Sequence, residues 1–512
     1  GDSNVGIGRN ALSNNTTANN NVAVGDSALN ANTTANFNTA VGHEALRENT
    51  TASNNTGLGA GALFANTTGT GNVAVGTFAL DANTTADQNT AVGYNALTTN
   101  TTSVNNTAVG YEALKVNTGA NNTAVGAGVL VANTSGTQNV AMGSLSLDAN
   151  TEGRENIGIG YASLSANTTG DNNVAVGRSA LVANTTADNN TAVGKSALAS
   201  NTTGTRNVAV GANALDAATT ANNNTAIGYD ALTENTTGAQ NTTVGNKSLD
   251  ANTTGNNNTA VGHNTLSSNT TADHNTAVGN TALFANTTGD QNTAVGSNCL
   301  DSNTTGVANT GVGRNCLEAN TTGQHNVGVG FNALQGNSTG SRNTAIGLQS
   351  LDDNTTANEN TAVGYRSLYL NTTGNVNVAV GATALYSNTT GSQNTAVGEN
   401  ALSSNTTGAV LVAVGRDALR SNTTAQNNTA VGNDALVANT TGAQNTALGT
   451  SAGSNHIDGA QNLILGWNAQ TAATGSSNSV TLGGTYVTDL RCADTSISSL
   501  SDRRDKTDIV DL

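Results

Sequence analysis

The residues of this 512-residue chain that could do chemistry are few, and they recur at fixed spacings. An Asn-Thr-Thr triplet runs through most of the sequence, as at Asn32, Asn49, Asn66 and Asn83. Asn-x-Thr is the acceptor pattern for N-glycosylation, so these four asparagines are glycosylation candidates of a glycan-coated extracellular fibre. The triplets equally fit a turn, where asparagine tolerates left-handed geometry and bonds its own backbone. Stacked turns would lay Asn on Asn and Thr on Thr, which also accounts for the threonine that no acceptor pattern needs. One copy, Ala217-Ala218-Thr219-Thr220, has alanine in the acceptor place. Cys299 and Cys316 stand 17 residues apart. If that is one turn of a coil, they lie within disulfide reach. The other reading is that cysteine replaces the small Ala or Ser of other copies. Cys492 has no such neighbour.

Other candidates are thinner. His43, His263, His274, His325 and His456 fall at unrelated places, without metal-ligand spacing, and read as solvated. Tyr94, Tyr111, Tyr161, Tyr229, Phe331 and Tyr365 each follow a glycine directly. They could stack on sugars of a host surface or line a groove between subunits. No phosphate-binding GxxxxGK[ST] motif occurs, nor any Ser/His/Asp or paired-carboxylate constellation. No cofactor, no metal and no enzymatic action on an external substrate are expected.

What positions these residues is a repeat, N-[TV]-A-V-G-x-x-[AS]-L-x-x-N-T-T-[GA]-x-x, seen whole in residues 38–54. The glycine after Ala-Val marks it from Gly8 to Gly483. Every step between markers is 17 residues except one of 16, from Gly110 to Gly126. The missing residue falls at Asn117-Thr118-Gly119, which marks that part of the unit as a turn. A fixed period overrides the multidomain expectation that length alone would give.

Composition agrees with an ordered solenoid. Glycine occurs 59 times and proline not at all, and only 10% of residues are charged. A ladder that uses every backbone N–H has no place for proline. The net charge of −16 argues against nucleic-acid binding, which needs a basic stripe. No apolar run approaches a membrane span. Gly1 falls inside a repeat, so the chain is expected to be part of something longer.

Within a unit, N-[TV]-A-V reads as a short strand, with its second and fourth places on one face. Val22 and Val24 are expected inward with Leu46, and the strand alanines (Ala23, Ala40, Ala74) on the opposite face at a close subunit contact. The glycine allows a bend. A helix lacks its 3.6-residue stripe. Each unit is therefore predicted to be one coil of an all-β parallel β-solenoid. Coils about 4.8 Å apart would make a rod of roughly 140 Å. So few apolar side chains per coil suggest lateral association, most simply a parallel homotrimer. Leu411, standing where the pattern has Asn, is expected at a tighter subunit contact, and Trp467 over the last full coils.

The repeats resemble the N-S-V-A-I-G head repeats of trimeric autotransporter adhesins, over about residues 4–483. That resemblance implies a left-handed β-roll packed as a trimer, although the 17-residue period is longer than in those heads. The tail, Ser498-Ser-Leu-Ser-Asp-Arg-Arg-Asp-Lys-Thr-Asp-Ile-Val-Asp-Leu512, looks like the junction into an endosialidase-type intramolecular chaperone. Such domains end many phage tail fibres, trimerise the chains and then cut themselves off. The resemblance implies Ser501 as nucleophile, Ser501–Asp502 as the scissile bond and Lys506 as base, a hydroxyl needing a nearby base to attack a carbonyl.

The expected organisation is a shaft over 1–450, degenerate terminal coils over 451–483, an extended exit over 484–500, and a truncated chaperone start over 501–512. The expected function is that of a trimeric phage tail fibre in host attachment. Its location would be extracellular, on the virion tail. Its partners would be itself and a host-surface carbohydrate or receptor, with no nucleic acid and no membrane insertion. The alternative is a glycosylated surface adhesin or extracellular filament. An ice-binding solenoid would need a flat Thr face, but the Thr places fall at turns and partly inside the wall.

Overall fold

A computed structural model describes residues 1–484 and Val487. The chain divides into two compact units, Gly1–Asn360 and Thr361–Leu512. Among the described residues the first unit holds the three-residue strands β1 (Val5–Ile7) to β21 (Thr344–Ile346), and the second holds β22 (Thr361–Val363) to β29 (Val480–Leu482). No helix occurs among them. Within a unit each strand pairs in parallel with the next strand in sequence. Partners are 17 residues apart, as Val22 with Thr39 and Ala23 with Ala40. The short step is absorbed without loss of register, Thr107 pairing with Thr123. One coil therefore makes one rung, and the fold is a parallel β-solenoid.

The ladder extends beyond the strands. Leu29 N–H donates to the Ala45 carbonyl, Thr33 N–H to that of Thr50, and Gly25 and Ser27 donate back to Ile7 and Arg9. Coil bonds to coil at the strand, the bend and the turn alike. A proline at any of these donor positions would delete a rung. The marker glycine is obligatory for a second reason. Gly228 has φ +142°, and a Cβ there would lie 2.2 Å from the Gly245 carbonyl oxygen of the next coil. The leucine four places on also takes a left-handed backbone, φ 50° at Leu46. That costs about 1–2 kcal/mol per residue for a side chain of this kind. It is repeated in nearly every coil because it accompanies burial of the leucine inside.

The faces of the strand are reversed from the expected assignment. In the coil of residues 38–54, Ala40, Ala45, Leu46, Ala52, Asn38 and Asn49 are all buried, whereas Thr39 and Val41 are half-exposed. The strand alanines fill the core, and Val22 and Val24 face outward. Strand alternation puts either the middle residue or the two flanking ones inside, and here it is the middle one. The interior opposite it leaves room for a methyl group and little more. At Gly57 an added Cβ would already sit 3.2 Å from the Ala62 carbonyl and 3.4 Å from Leu46. Valine satisfies the alternation only on the outside.

Two asparagine ladders occupy the rest of the interior. The strand-entry Asn38 accepts the Asn55 N–H on its Oδ1 at 2.9 Å, and its Nδ2 donates to the Ala52 carbonyl at 2.9 Å. The turn Asn49 donates to the same carbonyl at 2.9 Å and to Asn32 Oδ1 of the preceding coil at 3.3 Å. Outside this, the first turn threonine donates its hydroxyl to the next coil, as Thr50 does to the Thr67 carbonyl at 3.2 Å. Gaps in the pattern leave visible defects. Ala218 has no amide to offer, and Asn201 Oδ1 is buried without a partner. Where the turn is one residue short, Asn117 donates to the Gly119 carbonyl and Asn100 Oδ1 is left unpaired.

Residues 451–482 keep the rungs while changing the filling. Gly453 stands in the leucine place and Ile464 in the strand-alanine place. A Cβ on Gly453 would lie 2.7 Å from Ile464 Cδ1. The larger strand residue fills the volume the leucine vacates. Trp467, expected to cover the last coils, is instead 60% exposed, because it holds the outward place directly after the marker glycine.

Candidate functional site

Each residue singled out by its chemistry has a definite place in the coil. The four glycosylation candidates Asn32, Asn49, Asn66 and Asn83 lie wholly in the interior. Their Nδ2 atoms, to which a glycan would be joined, donate to the preceding asparagine and to a carbonyl three residues on: Asn66 to Asn49 and Gly69, Asn83 to Asn66 and Ala86. The folded coil thus uses the amide that an acceptor site would have to present. Ser501, Asp502, Lys506 and Cys492 lie outside the described residues.

Cys299 and Cys316 are free, fully buried thiols in the place other coils give to alanine. The neighbouring thiol and burial hold Cys299 far above the ordinary thiol range, so it is not a reactive thiolate. The larger sulfur is accommodated across the core. Gly311 and Gly328 replace the strand alanine, and a Cβ on either would lie 2.5 Å from Cys299 Sγ or Cys316 Sγ. Ser146 makes the same pairing with Gly158, donating to its carbonyl at 2.9 Å.

Two further residues prove to be interior. His456, read from the sequence as solvated, is buried in the turn-asparagine place. Its Nε2 lies 2.8 Å from the Gly459 carbonyl, which fixes that nitrogen as the donor and reproduces the asparagine bond to the third residue on. Leu411, expected at a subunit contact, is likewise buried and joins the neighbouring coil through its backbone, its N–H donating to Asn394 Oδ1 at 3.1 Å and its carbonyl accepting from Thr395 N–H at 2.7 Å. Both follow from the ladder place pointing inward.

The outside of each coil is a set of columns, each built from one repeat position. The place before the marker glycine is aliphatic in every described coil and is never buried. It runs from Ile7 to Ile346 in the first unit and from Val363 to Leu482 in the second. Ile7, Leu448, Leu482 and Leu58 are its most exposed members. The place after the glycine carries the exposed aromatics foreseen above. Tyr94 and Tyr111 stack there with ring centroids 5.7 Å apart. A third column, one place beyond the buried leucine, carries polar pairs. Ser267 donates to Asp250 at 2.6 Å, and Thr98 to Asp81. Burial pushes the carboxyls of Asp81, Asp148, Asp216 and Asp301 in this column upward.

In the second unit this column also holds Tyr369 and Tyr386, whose rings stack at 5.3 Å and 10°. Arg366 lies over both Tyr365 and Tyr369, at 5.2 and 5.5 Å. An open-sided cavity of about 380 Å³ adjoins them, lined by Tyr365, Arg366, Thr383, Tyr386, Asn400 and Ser403 among others. Sequence reasoning found Tyr365 and missed the rest, although the spacing of 17 between Tyr369 and Tyr386 was a sufficient signal. Among the described residues no group of three or more His, Cys, Asp or Glu could hold a metal ion, and no helix is long and apolar enough to cross a membrane. No known protein family matches the chain, and no curated protein matches it.

The cysteine–glycine pairing can be tested by a double-mutant cycle. Gly311→Ala should cost about 1–3 kcal/mol of local stability by overpacking. Cys299→Ala in the same chain should restore most of it. Amide exchange of residues 290–330 reads the effect. Equal losses with and without Cys299→Ala would show that the sulfur is not what the glycine accommodates.

Proposed function

We propose that the chain is a structural fibre protein, the shaft of a phage tail fibre that takes part in host attachment, assembled as a parallel homotrimer. The observation that carries the reading is the aliphatic column. An outward place that is Val, Ile, Leu or Met in every described coil, and buried in none, is an exposed apolar stripe running the length of each unit. Soluble single chains seldom expose continuous apolar stripes, and those that do use them for association. The columns of three parallel copies, facing one axis, cover one another along their whole length. The valine face, not the alanine face, is then the subunit contact. The left-handed winding of the resembled adhesin heads belongs to the same proposal, as does a place outside the cell, on the virion tail.

The tail residues carry the phage assignment over that of a cellular adhesin. Ser501 would attack the peptide carbonyl of the Ser501–Asp502 bond, Lys506 taking its proton and passing it to the departing Asp502 amine, and water would then open the serine ester, freeing a chaperone that has already trimerised the chains. The glycosylated alternative gains nothing from the fold, since Asn32, Asn49, Asn66 and Asn83 are buried and hydrogen-bonded.

Light scattering should give a particle of three 50.7 kDa chains. Val193→Lys with Val210→Lys should release monomers that keep the β signal in circular dichroism, because both side chains point out of the coil. A wild-type monomer would exclude the trimer, and an unchanged trimer in the double variant would exclude this contact face. When the chain is expressed with an endosialidase-type chaperone domain joined after residue 512, Ser501→Ala should leave the product uncut. Normal cleavage in that variant would remove the junction.

A further inference from the structure

We propose that the second unit carries a pyranose-binding site at Tyr386, where a sugar ring completes an interrupted tyrosine stack. The inference deepens the attachment reading by naming the ligand class and the place. In the column beyond the buried leucine, successive coils place Tyr369, Tyr386, Ser403 and Arg420. One face of the Tyr386 ring is covered by Tyr369 at 5.3 Å. The other looks toward the next coil, where serine replaces a ring. The open-sided cavity of about 380 Å³ borders Tyr386 and reaches from Tyr365 and Arg366 in the preceding coil to Ser403 and Ser404 in the next, large enough for one sugar unit.

The walls suit a sugar better than an apolar or aromatic ligand. Besides Tyr386 the cavity is lined by Thr383, Ser387, Asn400, Ser403 and Ser404, all short hydroxyl or amide side chains. A pyranose has an apolar C–H face and a rim of hydroxyls, and it matches a ring on one side with donors and acceptors on the other. The polar wall is already organised. Thr383 donates to Asn400 Oδ1 at 2.6 Å, and Asn400 Nδ2 donates on to Asp417 at 3.1 Å. The backbone beneath is tied coil to coil: Thr383 N–H to the Tyr365 carbonyl, Leu370 N–H to that of Tyr386, and Ser387 N–H to that of Ser403. Binding to such a surface orders little that is not ordered already. Arg366, held over two tyrosine rings, lines the same cavity.

The test is saturation-transfer NMR on the full chain with methyl glycosides of glucose, galactose, mannose, N-acetylglucosamine and glucuronate, and tryptophan amide as an aromatic comparison. At least one glycoside should bind. Tyr386→Ala should weaken it by about tenfold, and Tyr386→Phe should retain it. Ser403→Tyr, which fills the missing rung with an outward side chain, should abolish it, whereas Tyr111→Ala should leave it unchanged. Binding by none of the glycosides, binding indifferent to both Tyr386→Ala and Ser403→Tyr, or preference for tryptophan amide would each overturn the proposal. The chain count per particle is measured separately, so failure here leaves the fibre reading standing.

Discussion

The structure depends on the bonding of each coil to the next through buried asparagine amides. A coil of 17 residues with one leucine and a few alanines inside buries little apolar surface. Each amide inside it must be satisfied, because an unpaired buried donor or acceptor costs about 1–3 kcal/mol. In most coils the two asparagine ladders meet this condition by pointing at the neighbouring coil: Asn49 donates to Asn32, and Asn38 accepts from Asn55. No coil can be complete alone. The constraint favours a constant period: at the one step of 16 residues the strands stay in register, but Asn100 Oδ1 is left without a partner. It also fixes the glycine, whose missing Cβ lets the next coil's carbonyl approach.

Much of this was legible in the sequence. The 17-residue step, the rung it makes, the turn at Asn-Thr-Thr and the inward leucine all follow from periodicity and residue type. The assignment of the strand faces did not. Hydrophobicity places valine inside and alanine at the margin, but the core cross-section is set by what must share it. Leu46, two asparagines and three alanines already fill the coil of residues 38–54, so Val41 is left outside. The same reversal misplaced Leu411 and His456. Both substitute for ladder asparagines and are interior, although one looked like a contact residue and the other like a solvated one. The cysteine–glycine and glycine–isoleucine exchanges were unreadable for a related reason. Each pairs positions that are distant in the repeat and adjacent only once the coil closes.

The outer surface then divides labour by column. Side chains one coil apart are neighbours, so a repeated residue makes a stripe and a changed residue makes a site. The aliphatic stripe runs through every described coil of each unit and suits association of copies. The tyrosine pair at Tyr369 and Tyr386, ending at Ser403, is a local break in a column and suits a ligand. In such a fold a site is expected where the repeat changes, as it does at Ser403, and the proposed junction at Ser501, Asp502 and Lys506 stands where the repeat has ended.

The central claim, that the asparagine amides are interior struts, is tested most directly by Asn252→Asp. Asn252 Nδ2 donates to Asn235 Oδ1 at 2.8 Å and to the Gly255 carbonyl at 3.0 Å. A carboxylate there would face two acceptors with no proton to give, inside the coil. Amide exchange of residues 235–270 at pH 7 should show local stability reduced by about 3 kcal/mol or more. A change within about 0.5 kcal/mol, as expected of a surface substitution, would contradict the account.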